Sequence, residues 1–475
     1  MINRGGKMRF LSLFIILLFI LTVSACNEEE ESTVASGNSE EVSEEENLPV
    51  KSWTHPNDLS DNISPDGQNA DYPQVAIDSS GDSIIVWEQY SQTFFSEYRS
   101  GSWPHPSDLS DYISPTAAGS DRPQVAMDNS GDAIIVWYGV DYYTRIFKSE
   151  YRSGGWIHPS SQSDHISPYH YASNPQVVMD SNGNTVIVWN QNDGNNLQTC
   201  KSEYRSGSWT HPSSLSDNIS PNGQNTGNPK VAMDDNNNAI IIRSQNDGSY
   251  NQIFKSEYRS GSWTHPSSLN DNISPDGQHT SELQIAMDNN GNAIIAWSQI
   301  DGSNYQLFKS EYSSGSWTHP SGLSDNISPD GQPVNGIQIA MDNNGNAVIV
   351  WRQSDGFYNQ IFMSEYRNGS WDHPSSLTDN ISPDGQSAGQ PQVAMDNNGN
   401  TIIVWVQSDG SHNQIFISEY RSGSWTHPSS LNDNISSDGQ HAGNPEVAMN
   451  NNSNAIIVWR QSDGFNNQIF ISEFG

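Results

Sequence analysis

The chain has 475 residues, with 55 acidic against 20 basic side chains and a formal net charge of −35. A surface that acidic excludes binding along nucleic-acid phosphates, which depends on clustered Lys and Arg. Two cysteines in so long a chain exclude a disulfide framework.

Taken in chain order, residues 1–25 read as a secretory leader. Arg4, Lys7 and Arg9 form a basic start and Phe10 to Val23 an apolar run, followed by Ser24-Ala25-Cys26. The run is short for a membrane span, which needs roughly 20 residues. Small residues directly before a Cys make this segment resemble the lipobox of bacterial lipoproteins. The resemblance implies a mature chain beginning at a lipidated Cys26. The membrane would then be a partner through that anchor, with the protein held at the bacterial cell or outer membrane, outside the cytoplasm. Residues 26–50 follow as an acidic segment without aromatics, in which Glu28–Glu31 and Glu44–Glu46 repel one another and cannot bury a core. A solvated tether and a surface-sorting signal both fit it.

From residue 51 the chain repeats. Trp53, Trp103, Trp156, Trp209, Trp263, Trp317, Trp371 and Trp425 recur at intervals of 50 to 54 residues, each within Ser-Trp-Thr-His-Pro or a close variation of it. One unit reads from Gln392 to Asn434. Gln392–Asp396 is a strand, A, and Asn397-Asn-Gly399-Asn a tight turn. Thr401–Trp405 is a continuous apolar strand, B, and Ile415–Tyr420 a strand, C. Ser424–Pro428 is a short strand, D. Four antiparallel strands per unit at this period predict an all-β propeller. The region opens with a lone strand D at Lys51–Pro56 and ends with A, B and C at Glu446–Phe474. Eight blades follow for residues 51–475, with the N-terminal strand closing the last sheet and hiding its edge.

The pattern Val393-Ala-Met-Asp396-Asn-Asn-Gly399-Asn-Thr-Ile-Ile-Val-Trp405 resembles the Asp-box repeats of bacterial sialidase-like propellers. The spacing departs from that family's, where a Ser precedes the Asp and the Trp follows the Gly closely. The resemblance implies the fold. It does not carry over the family's arginine triad or Tyr–Glu nucleophile, because Arg99, Arg152, Arg205, Arg259, Arg367 and Arg421 recur once per blade at the C–D turn. Arg122, Arg145, Arg243, Arg352 and Arg460 are irregular and lie in no motif.

The eight His-Pro pairs, one per blade, are too dispersed to converge on a metal and read as structural. Cys200 stands where other units have Phe, an apolar core position. Asp288-Asn-Asn-Gly-Asn and Ser354-Asp-Gly offer oxygen ligands of the kind calcium takes, although turn geometry alone explains them; no other cofactor is expected. The B–C and D–A loops vary among units and emerge on one face. They carry Tyr90, Tyr142, Tyr143, Tyr250, Tyr305, Phe357, Tyr358 and Phe465, with Tyr72, Tyr169 and Tyr171 beside them. Such rings suit a glycan or a protein ligand. The sequence therefore predicts a binding or adhesion module and not an enzyme. A sialidase-type glycoside hydrolase and a scaffold of an envelope complex are the alternatives. Oligomeric state is not legible.

Overall fold

The computed structural model describes residues 51–115, 119–140 and 142–475; the leader, Cys26 and the acidic tether lie outside them. Among the described residues the chain forms eight antiparallel sheets and no helix. The inner strands A of blades 1 to 8 are Ala70–Ile77, Gly119–Met127, Ala172–Met179, Thr226–Met233, Thr280–Met287, Val334–Met341, Ala388–Met395 and Ala442–Met449. Each touches the next, and the last touches the first, so the sheets close a ring around a central channel. Trp53–Thr54 completes blade 8, with Trp53 opposite Phe474 and Thr54 opposite Glu473, as the strand order predicted. The outer strand of blade 1 is reduced to a bridge between Arg99 and Ser102.

The apolar run of strand B follows from this packing. Ile402 and Val404 of blade 7 point into the core shared with blade 8, while Ile403 and Trp405 point into the core shared with blade 6. A period of two therefore alternates between two dry interfaces, and neither face of the strand is free to be polar. At the outer seam, Trp425 Nε1 donates to Glu365 Oε2 of the preceding blade at 2.6 Å, and Arg367 lies 3.9 Å over Tyr420 of the next. Ser-Glu-Tyr and the C–D arginines are thus interblade ties.

The other recurrent residues have local tasks. His427 Nδ1 meets Ser418 Oγ at 2.9 Å and its ring stacks on Trp425. Burial holds the eight strand-D histidines below the usual imidazole value, His211 and His265 at about 4. In the A–B turn, Asp288 Oδ1 accepts from the amides of Asn290 and Asn292, and Oδ2 from the Asn292 side chain. Asn237 replaces the turn glycine in blade 4 with φ 67°, and Ser453 does so in blade 8 with φ 62°. Cys200 is fully buried beside Trp189, and burial pushes its thiol up to about 12.

A buried Trp–Gln pair latches each D–A loop. Trp405 Nε1 donates to Gln407 Oε1 at 3.1 Å, and Gln407 Nε2 donates to the carbonyls of Pro383 and Gln386. Two blades break the pair, and each leaves one buried polar atom of the remaining member unbonded, although Gln245 Nε2 still donates to the carbonyls of Pro221 and Gln224. Gly139 replaces the Gln in blade 2 and strands Trp137 Nε1; Arg243 replaces the Trp in blade 4 and strands Gln245 Oε1. Arg243 is fully buried, and its Nε and Nη2 are also unbonded. Desolvation drops its guanidinium to about 9. Arg243→Trp removes an unpaired buried cation and restores the hydrogen bond, so it is expected to stabilise the ring by about 1–4 kcal/mol. A chemical melt shows this directly; a variant no more stable than the parent contradicts the assignment of strain to Arg243.

Candidate functional site

The face carrying the B–C and D–A loops presents the predicted aromatics, but mostly apart. Phe357 and Phe465 are 90% and 94% exposed on blades 6 and 8. Tyr90 and Tyr358 are exposed and Tyr305 half-buried on blades 1, 6 and 5, while Tyr250 of blade 4 meets His279 at 5.2 Å. Only at blades 2 and 3 do several rings converge. Tyr143 touches Tyr142, His170 and Tyr171 at 5.1 to 5.8 Å.

A second constellation lies on the same face, nearer the axis. Every strand A bulges two or three residues into its length, and in seven blades the bulge carries a positive φ between 48° and 65°, at Tyr72, Arg122, Asn174, Asn228, Gly336, Gln390 and Asn444. A left-handed backbone at Tyr, Arg or Gln costs of order 1–3 kcal/mol and is characteristic of functional sites. Beside each bulge stands the residue after the strand-B tryptophan position, and six residue types share this place in the eight blades: Glu88, Tyr138, Asn190, Ser244, Ser298, Arg352, Val406 and Arg460. Otherwise repetitive blades thus become unlike at the channel mouth.

Blades 8, 1 and 2 gather the chemistry. Asp71 faces Glu88 across one strand pair and Asp121 faces Tyr138 across another. Arg460 Nη1 donates to Asp71 Oδ2 at 2.6 Å, and Asn444 Nδ2 to Asp71 Oδ1 at 2.6 Å. The Tyr138 hydroxyl donates to Asp121 Oδ2, while Asp121 Oδ1 is buried with no partner among the described residues. Arg122 lies 5.7 Å over the Tyr72 ring. Burial, then the charges of Asp121 and Asp71, push Glu88 up to about 7, against one hydrogen bond from the Ser91 amide. Burial and the bond to Asp121 push the Tyr138 hydroxyl up as well. The result is one carboxyl poised to hold a proton near neutrality beside two that are held by hydrogen bonds or an ion pair.

Arg122 also lines a cavity of about 340 Å³ that runs along blades 2 to 6, bounded by Gln176, Lys230, Glu282 and Gln284. Arg352 of blade 6 leans over Gly389, where a Cβ would meet its Cδ at 3.4 Å, and its buried Nε has no partner. Three of the five irregular arginines, Arg122, Arg352 and Arg460, therefore stand at this mouth. Arg243 is locked in the core. The three at the mouth sit inside strands, away from the variable loops that the sequence marks as the ligand-facing surface. The changing residue after each strand-B aromatic is the signal that marks them. Among the described residues no group of three His, Cys, Asp or Glu is arranged to hold a metal ion.

No protein-family model matches the chain, and no curated protein matches it. Solved structures do. One is a PL25 polysaccharide lyase, an ulvan lyase bound to -[GlcA(1-4)Rha3S]-, at 10% identity and TM-score 0.46, covering 86% of this chain and 94% of that one. Another is the GH93 α-L-arabinofuranosidase of Fusarium graminearum with arabinobiose, at 12% identity and TM-score 0.37, covering 76% and 96%. A third is AofleA from Arthrobotrys oligospora, at 10% identity and TM-score 0.36, covering 79% and 88%. Likeness at this level is one of fold alone. The expectation that the chain is not an enzyme is nevertheless corrected: polysaccharide lyases and a glycosidase are among the structures of similar fold, so the fold gives no ground for ruling catalysis out. The physical reason that expectation fails is the mouth itself. It assembles carboxylates, a tyrosine and arginines from separate blades, which no contiguous motif announces.

Proposed function

We propose that the chain is a carbohydrate-active enzyme that takes a glycan at the channel mouth and hydrolyses a glycosidic bond there. The observation that carries this reading is a set of neighbouring carboxylates on paired strands with unlike environments, Glu88 raised to about 7 opposite Asp71 and beside Asp121. Paired carboxyl groups of that kind divide the work of glycoside hydrolysis. Protonated Glu88 gives its proton to the leaving oxygen, while an ionised neighbour activates water or attacks the sugar carbon. Elimination needs a base, and the Tyr138 hydroxyl suits that role poorly, because it donates to Asp121 and its proton is held more tightly than usual. The aromatic group around Tyr142, Tyr143 and Tyr171 would offer stacking surfaces to a longer chain.

The test is product analysis with the purified protein and a panel of neutral and acidic polysaccharides. New reducing ends without an unsaturated, ultraviolet-absorbing product support hydrolysis. An unsaturated product overturns the assignment in favour of elimination, and no product from any glycan overturns catalysis. Presentation outside the cytoplasm on a lipid at Cys26 belongs to the same proposal; its check is release of the full-length Cys26→Ala chain from the membrane fraction.

A further inference from the structure

We infer that the cavity at the channel mouth binds the carboxylate or sulfate group of an acidic sugar between Arg122 and Lys230. This rests on the carbohydrate reading above and names the substrate class. The starting point is a ring of equivalent positions on the eight A strands. Six blades place a glutamine there, Gln74, Gln124, Gln176, Gln284, Gln338 and Gln392. Blade 4 places Lys230 and blade 8 places Glu446. In a closed ring of eight, these two departures stand on opposite sides of the channel, four blades apart.

The two sides are then unlike. Glu446 accepts from Gln74 Nε2 at 3.0 Å and from Gln392 Nε2 at 2.9 Å, so the amides on both flanks close on it. Lys230 has one contact, to Gln176 Oε1 at 3.3 Å, and no carboxylate within ion-pair distance. The four strand-C lysines, Lys148, Lys201, Lys255 and Lys309, each pair with a glutamate two residues on. Arg122 has an aromatic ring beneath it and no carboxylate partner among the described residues. The open cavity lies on the Lys230 side and contains both cations, with the amides of Gln124, Gln176, Gln284 and Gln338 around them. Its one carboxylate, Glu282, is turned onto the backbone amides of Gly336 and Ile337. Glu446 acts on Lys230 only through space across the channel and is already held by two amides, so neither cation of the cavity has a carboxylate in contact, and the pair suits an anion supplied from outside. Amide side chains suit the hydroxyls of the sugar that carries it.

The probes are glucuronic acid, glucose 6-sulfate, glucose and inorganic sulfate, titrated calorimetrically into the full-length protein. The acidic sugars are expected to bind at least about tenfold more tightly than glucose, the scale of one charge-assisted hydrogen bond. Lys230→Gln installs the residue that six other blades carry, so folding is not at issue. It should weaken both acidic sugars at least about tenfold and leave glucose unchanged, and Arg122→Asn should act in the same direction. Unaltered affinity in both variants, or glucose binding as well as the acids, overturns the inference. Inorganic sulfate binding as tightly as glucose 6-sulfate overturns the sugar part and leaves a bare anion site. Lys230-dependent binding of acidic sugars with no cleavage of any glycan sustains the inference while the hydrolase reading fails, which separates the two.

Discussion

Deleting residues 51–60 is expected to lower the melting temperature by at least about 5 °C and to make the protein prone to association. The segment supplies the outer strand of blade 8 and little else. Trp53 packs in the core of that blade, its Nε1 donates to Glu419 Oε1 at 3.0 Å, and His55 meets Ser472 at 2.8 Å. Trp53 is partly buried, so its loss costs less than the roughly 3–5 kcal/mol of a fully buried tryptophan, and the strand pairing and the packing of Leu59 are lost with it. The deletion also bares the edge of Asn467–Phe474, whose backbone groups become a template for a second chain. Differential scanning calorimetry and gel filtration read both effects. An unchanged melt means that the N-terminal strand does not seal the ring.

Glu88→Gln is expected to reduce kcat on a cleaved glycan by about 10²–10⁴, the usual contribution of a positioned general acid, with binding retained. Gln keeps an oxygen for the Ser91 amide, so the side chain has a reason to stay in place. The pH dependence carries the sign. A carboxyl that titrates at about 7 holds its proton below that value, so the wild-type rate falls as pH rises through about 7, and the residual rate of the variant loses this limb. A variant within a few-fold of wild type, or one that keeps the alkaline limb, removes Glu88 from the chemistry.

The ring was legible before any coordinates, because it is written redundantly. Eight copies of Trp and His-Pro, apolar strand-B runs such as Ile402–Trp405, and a strand D at the start where the end lacks one all point to the same architecture. Interblade ties such as Glu365 with Trp425 were legible as packing for the same reason. The site was not. Asp71, Glu88, Asp121, Tyr138 and Arg460 come from three blades and lie between 71 and 460 in the chain, so no local spacing relates them. They meet because ring closure brings blade 8 against blade 1 and because a bulge turns strand A at the mouth. Loop aromatics such as Phe465 stand out in the sequence as exposed rings, whereas a lone Glu after a tryptophan in a buried strand looks like drift. The two positions that broke the repeat most plainly diverged in meaning: Arg243 is confined to the core, and Lys230 opens onto the channel.

Where a glycan sits on the ring decides whether the channel mouth is the active site. A crystal structure of the Glu88→Gln protein with a bound oligosaccharide is expected to show a glycosidic oxygen within hydrogen-bonding reach of residue 88, with Asp71 or Asp121 across the same sugar. Sugar density confined to the outer loops around Tyr142 or Phe357, with the channel mouth empty, would contradict it.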